Sequence, residues 1–250
     1  MMPAVMSLVD PLSQLLWLSH EIGREERGLA LGGEGSVSAR LDAHHFGIRA
    51  SATTLHEADA AQTCRCDLKA IGALIDSQGA DAADLHAALT KTVEPEQPRP
   101  TIEALFHAWL LQLEGVSYVA HCHPIGCLQI LCSPAAERFA EYRMFPDEVI
   151  ATGPQSALVP YYEPGAPLAR EIRAKVNLYT RRSIGRPPRL ILLQNHGIIA
   201  LGSTPQNVLS TVLMAEKAAQ VFVGAARLGG PTFMTQPMVM RIDNPARTRR

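Results

Sequence analysis

The chain has 250 residues, 47% of them hydrophobic and 19% charged, with a formal net charge of −1. It can therefore bury a sizeable core, and neither long disorder nor attraction to nucleic acid or an anionic membrane surface is expected. No uninterrupted apolar run approaches the roughly 18 residues of a membrane span, and the N-terminal stretch meets Asp10 with no basic region before it, unlike a signal peptide. Five cysteines, at 64, 66, 122, 127 and 132, suit reduced thiols in a cytoplasmic protein, and Cys64-x-Cys66 without a second pair makes no zinc knuckle.

The first expected element is a helix over about 13–27, with Leu15, Leu16, Leu18 and Ile22 on one side and Glu21, Arg24 and Glu25 on the other. It leads into Leu31-Gly-Gly-Glu-Gly-Ser-Val-Ser-Ala-Arg40, where clustered glycines let the backbone approach a ligand closely. Backbone N–H groups around Gly35, the hydroxyls of Ser36 and Ser38, and Arg40 suit an anion such as phosphate. A turn entering a strand explains the same residues without a ligand. Strands at 37–41 and 46–50 flank a turn holding His44 and His45, neighbours that seldom converge on one metal. Ser51-Ala-Thr-Thr54 is a second hydroxyl-rich segment, suited to lie beside the glycine loop. A strand and then an apolar turn or helix follow over 62–76, and a short helix over 81–92 with Asp81 as its cap.

A proline-rich loop over 93–100 ends at Thr101-Ile102-Glu103. Thr101 is expected to cap a helix running to Leu113, with Glu103 in its first turn, where the helix dipole favours a carboxylate. The same junction can instead hold Glu103 rigidly towards a cleft. His107 lies four residues on, on the same helix face but one turn deeper, and is set aside as a ligand. The next stretch, Gly115 to Ser133, carries His121-Cys122-His123 at the end of an apolar strand. Alternation puts both histidines on one face, which makes half of a metal site. Helices from about Pro124 and over 135–142, strands at 149–152 and 158–161, and a helix over 167–179 come next. In Leu190–Gly202 two apolar runs flank Asn195-His196-Gly197. A buried strand histidine is commonly just hydrogen-bonded in place, but the glycine after it suggests a bend that turns His196 towards a partner. The final helix, capped by Thr204, runs to about Leu228, giving a single domain over 1–230 and a mobile tail over 231–250.

His121, His123, His196 and Glu103 offer three imidazoles and a carboxylate, a suitable set for Zn²⁺ or another divalent ion. The order of glycine-serine loop, Ser/Thr loop, Thr-x-Glu helix start, His-x-His and Asn-His-Gly resembles the class II aldolase/adducin family over about 12–227. That resemblance implies a three-layer α/β/α fold around a mostly antiparallel sheet, and a homotetramer. It also implies a metal held by His121, His123 and His196, with Glu103 as acid/base. The activity it implies is a zinc-dependent lyase cleaving a sugar-phosphate-like ketose through an enediolate, for which Glu103 is expected to have a raised pKa. Epimerase, dehydratase and decarboxylase activities use the same scaffold, and adducin-like binding modules need no metal. Gly35, Ser36, Ser51 and Thr101 correspond to the family's phosphate contacts. The pattern departs from the family there: Ser36 stands for Asn, Ala52 for Gly, and Ile102 for a serine.

Overall fold

The computed structural model describes residues 10–50, 53–77, 82–93 and 98–243. Ser51, Ala52 and Asp81 lie outside the described residues. Helix α1 (Pro11–Ile22) leads to strands β1 (Ser36–Arg40), β2 (His45–Arg49) and β3 (Thr63–Asp67). Helices α2 (Leu68–Ala73), α3 (Ala82–Thr90) and α4 (Ala104–Leu110) precede β4 (Tyr118–Cys122). Then come α5 (Ile125–Leu131), α6 (Ala136–Glu141), α7 (Pro146–Thr152), β5 (Ala157–Val159) and α8 (Ala166–Arg182). The hairpin β6 (Leu190–Leu193) and β7 (Gly197–Gly202) is followed by α9 (Pro205–Ala226) and α10 (Gln236–Asp243).

The strands form one sheet in the order β3-β2-β1-β4-β7-β6-β5, antiparallel throughout except for the β5–β6 pair. Apart from the edge strand β3, its strands are largely buried on both faces and alternate between two cores. Phe46, Ile48, Val119, Ile191, Leu193 and Ile199 face one core, shared with α2, α4 and α8. Val37, Ala39, Ala120, Cys122, Leu192, Ile198 and Ala200 face the other, shared with α1, α5 and α9. This is the expected three-layer α/β/α arrangement around a mostly antiparallel sheet. The alternation also sorts the polar residues. Ser36 and Ser38 flank Val37, and His121 lies between Ala120 and Cys122, so all three point towards the α4 layer.

Several elements differ from expectation for local physical reasons. Residues 149–152 are not a strand: Pro146 at the first helical position, with Asp147 and Glu148 in the first turn, starts a helix that buries Val149 and Thr152 one turn apart. The first helix stops at Gly23, where an added Cβ would lie 2.4 Å from the His56 nitrogen, and only a 3₁₀ turn continues over Glu25–Arg27. Thr101 is not the cap of α4; Glu103 holds that position, and the Thr101 hydroxyl is buried without a hydrogen-bond partner. Instead of a mobile tail throughout, residues 236–243 form α10, which buries Val239 and places Asp243 between Arg186 and Arg189. Helix α9 has the length and hydropathy to cross a membrane, yet it packs on α5, α7 and β7 and buries Val208, Val212 and Phe222. Each such side chain contributes about 1.5–3 kcal/mol on full burial, so this apolar face belongs to the core.

Candidate metal centre

Three backbone features bring the histidines together. His121 sits near the end of β4, paired with Ser36 of β1 on one side and Ile199 of β7 on the other. His123 lies just beyond the strand, its N–H donating to the Leu29 carbonyl at 2.9 Å. His196 occupies the β6–β7 turn, where Asn195 takes the left-handed conformation (φ 56°) that Asn tolerates better than most residues. That turn is pinned from outside the hairpin: Gln194 N–H donates to Val159 O and Asn195 N–H to Leu131 O.

One potential ligand atom from each of His121, His123 and His196 lies within 4.8 Å of the other two. Ring centroids are 4.8, 4.9 and 5.3 Å apart. Both ring nitrogens of His121 and Nε2 of His123 are buried with no well-aligned hydrogen-bond partner. Orphaned buried polar atoms are costly and rare, and three converging imidazoles, two of them with unused nitrogens, fit a divalent ion. The donor set therefore matches the group that the resemblance implies.

Carboxylates flank the cluster. Glu103 Oε1 lies 2.9 Å from His121 Nδ1, an ion-pair distance, and Glu34 Oε2 lies 3.4 Å from His123 Nδ1. Such carboxylate–imidazole contacts orient ligands and raise their basicity. Glu34 went unnoticed in the sequence; its one signal there is an acid set between Gly33 and Gly35.

Two glycines are required by space. A Cβ at Gly197 would lie 2.5 Å from the His123 ring and 2.6 Å from the Cys122 carbonyl. Gly197 thus serves close approach, and the bend expected there falls at Asn195. At Gly35, φ is +71° and a Cβ would meet the His121 carbonyl at 2.6 Å, so this residue lets β1 lie against β4.

The electrostatics favour the neutral form of His123 and His196 and the ionised form of Glu103. Burial, followed by the neighbouring His121 and His123, pushes His196 down to about 4. Burial and His121 also lower His123, with Glu34 and Glu103 opposing. Metal ligation needs imidazole in its neutral form. For Glu103, burial pushes the pKa up, but the charge and contact of His121 and the Ser36 hydroxyl outweigh it and hold the carboxyl well below its usual range. The raised pKa expected from the sequence is not found; the Glu103 carboxyl is lowered instead.

The other candidates fall in distinct places. The Ser36 hydroxyl is fully buried and donates to Glu103 Oε2 in a short hydrogen bond. His107 is also fully buried, between Ser36 and Ser38 rather than among the three histidines. His44 and His45 lie on the Asp42 turn, as expected of non-ligands. Cys64 and Cys66 are free buried thiols of the core. Sequence reasoning missed Arg49. Its buried guanidinium donates to the carbonyls of Gly33 (3.0 Å), Gly35 (2.6 Å), Ala50 (3.3 Å) and Thr53, tying the glycine loop to the segment after β2.

Residues 14–223 match the family described as the Class II Aldolase and Adducin N-terminal domain, and the chain belongs to that family. It is 25% identical over 204 residues to the 3-oxo-tetronate 4-phosphate decarboxylase of Haemophilus influenzae, covering 81% of this chain and 83% of that protein. A second match, 25% identical over 131 residues, is to the uncharacterized oxidoreductase YuxG of Bacillus subtilis; it spans 52% of this chain but 16% of that protein. Among solved structures, an L-fuculose 1-phosphate aldolase superposes with a TM-score of 0.71 at 14% identity, over 98% of this chain and all of that one (100%). YgbL from Escherichia coli, described as a putative aldolase/epimerase/decarboxylase, superposes at 0.67 with 18% identity, over 93% and 97% of the two chains.

Proposed function

We propose that the protein is a zinc-dependent lyase that cleaves a carbon–carbon bond near the carbonyl of a small ketose phosphate or related hydroxy-carbonyl compound. The observation that carries this is the meeting of three imidazoles, two of them with buried nitrogens unused, beside the Glu103 carboxylate. When bound, a divalent ion withdraws electron density from a substrate carbonyl and its neighbouring hydroxyl.

The chain's own residues do the rest. His121, His123 and His196 would hold the ion from a strand end and a pinned turn, so their positions are set before substrate arrives. Glu103, ionised and anchored at the start of α4, accepts the hydroxyl proton of the carbon that leaves as an aldehyde. The bond to that carbon breaks, its electron pair stays on the ketone fragment, and Glu103 returns the proton to the carbon left behind. Such a positioned acid/base contributes roughly 10²–10⁴-fold in rate.

The identity to a 3-oxo-tetronate 4-phosphate decarboxylase favours a second reading, decarboxylation of a 3-oxo acid phosphate. There the departing group is CO₂, and no base is needed to begin the cleavage. A metal-free binding module has no use for converging imidazoles with buried, unsatisfied nitrogens on His121 and His123. Five free thiols suit a reducing, cytoplasmic setting, and the homotetramer implied by the resemblance is read by light scattering.

Metal analysis with a paired substrate screen tests the proposal. About one zinc per chain is expected, lost in His121→Ala, with turnover on either ketose phosphates or 3-oxo acid phosphates. Fewer than about 0.2 metal per wild-type chain, with no uptake of added Zn²⁺, would sink the enzyme reading.

A further inference from the structure

Ser38, His107, Ser36 and Glu103 form one buried line of hydrogen bonds that the proposed chemistry has not yet used. The hydroxyls of Ser36 and Ser38 project from one face of β1, and α4 lays the His107 ring across both. His107 Nε2 lies 2.7 Å from Ser36 Oγ, and His107 Nδ1 lies 2.6 Å from Ser38 Oγ. Ser36, Ser38 and His107 are all inaccessible to solvent, and Phe106 stacks on the imidazole with ring centroids 4.8 Å apart.

The direction of each hydrogen bond follows from counting protons. The Ser36 hydroxyl donates its single hydrogen to Glu103 Oε2. Ser36 Oγ can then only accept from His107, which requires the proton on Nε2. A neutral imidazole carries one N–H, so Nδ1 must accept from Ser38. The opposite tautomer would set two lone pairs against each other at 2.7 Å. Burial keeps the ring neutral, pushing it down to about 3 against the opposing charge of Glu103.

We propose that His107 is a positioning residue: as its Nε2–H tautomer it orients the Ser36 hydroxyl onto Glu103 Oε2, so that the carboxylate is held by Ser36 at one oxygen and faces His121 Nδ1 with the other. Successive donors polarise one another along such a chain, and every donor here points at the carboxylate. Ser36 consequently has no hydrogen to offer a substrate phosphate. A phosphate held by the glycine loop must find its donors on the backbone. The assignment rests on the reading of Glu103 as the proton-transfer group.

Two measurements test it. The first is the nitrogen-15 and proton correlation spectrum of histidine-labelled, zinc-loaded protein at neutral pH, with the His107 signals assigned by their loss in His107→Gln. A neutral ring protonated on Nε2 is expected; an Nδ1–H tautomer or an imidazolium overturns the proposal. The second is deuterium exchange from solvent into dihydroxyacetone and dihydroxyacetone phosphate, which reads proton transfer without cleavage.

In that assay Ser36→Ala and His107→Asn should each lower kcat at least about tenfold with KM unmoved and zinc retained, because small misplacements of a catalytic group are expensive. His107→Gln, whose amide nitrogen takes the place of Nε2 and still donates to Ser36, should keep more activity than His107→Asn. Equal loss in both, or an effect of Ser36→Ala confined to KM for the phosphorylated ketone, overturns the assignment. The spectrum needs no substrate. A wild-type protein inert on both ketones would count against the lyase reading, while the tautomer would still decide the hydrogen-bond chain.

Discussion

Gly197→Ala is the sharpest probe of how the histidines are assembled. The added methyl would sit 2.5 Å from the His123 ring and 2.6 Å from the Cys122 carbonyl. Ordinary contact begins near 3.4 Å, so something must yield by roughly 0.9 Å. The carbonyl is held in the β4–β7 ladder, where Cys122 pairs with Ile198, so relieving both contacts displaces the His123 ring together with the strand end that carries it. A metal site tolerates only about 0.2 Å in ligand position. Zinc affinity should therefore fall by about 10–100-fold, on the scale seen when the support of a ligand is lost. Overpacking of this kind costs about 1–3 kcal/mol, which at roughly 2–4 °C per kcal/mol for a chain of this size should lower Tm by about 2–12 °C. Competition with a zinc-binding dye reads the affinity, and thermal unfolding of the metal-free protein reads the stability. Gly224→Ala is the control, since nothing lies within 4 Å of its Cβ position on α9, and it should stabilise slightly. Wild-type zinc affinity together with an unchanged Tm in Gly197→Ala would refute the close-approach argument.

Glu103→Gln should retain zinc and lose aldol cleavage by about 10²-fold or more; if carbon–carbon cleavage of a 3-oxo acid survives in the same variant, the decarboxylase reading gains, because that bond breaks without a base. Arg49→Lys should lower stability by about 2–4 kcal/mol in urea unfolding, because one ammonium cannot serve the carbonyls that the guanidinium fork satisfies and each orphan costs about 1–3 kcal/mol; a loss under about 0.5 kcal/mol would mean the loops hold themselves. Acid should destabilise the metal-free protein. His107 stays neutral in the fold down to about 3, whereas its ordinary value is 6.5. Between those values the unfolded chain binds the extra proton, so stability is lost as pH falls below about 6.5, by up to about 1.4 kcal/mol per pH unit from this residue. Urea titrations at stepped pH should show a shallower slope in His107→Gln, and an unchanged slope would place the effect elsewhere.

Much of the site was legible in the sequence because its signals are local. The His-x-His spacing on a strand, the Asn-His-Gly interruption between two apolar runs, and a lone carboxylate at a helix start each follow from period and polarity over a few residues. Other features were not local. Residues 149–152 look like a strand by composition, yet Pro146 and the packing against α9 make them helical. Arg49 resembles any strand-end arginine, and nothing nearby in sequence says that it gathers carbonyls from two loops.

By itself, then, the sequence determined the three candidate ligands, the acid beside them, the alternation that puts His121 and His123 on one side, and the family that their order resembles. Only the tertiary structure decided what each does to the others. The register of β1 against β4 sets Ser36 beside His121, and α4 lays His107 across two serines. That turns a serine expected to meet phosphate into a donor to Glu103 and holds the carboxylate ionised. The physical reason is that hydrogen-bond direction, burial and close approach depend on neighbours brought from 67 to 71 positions away, which no local pattern can supply.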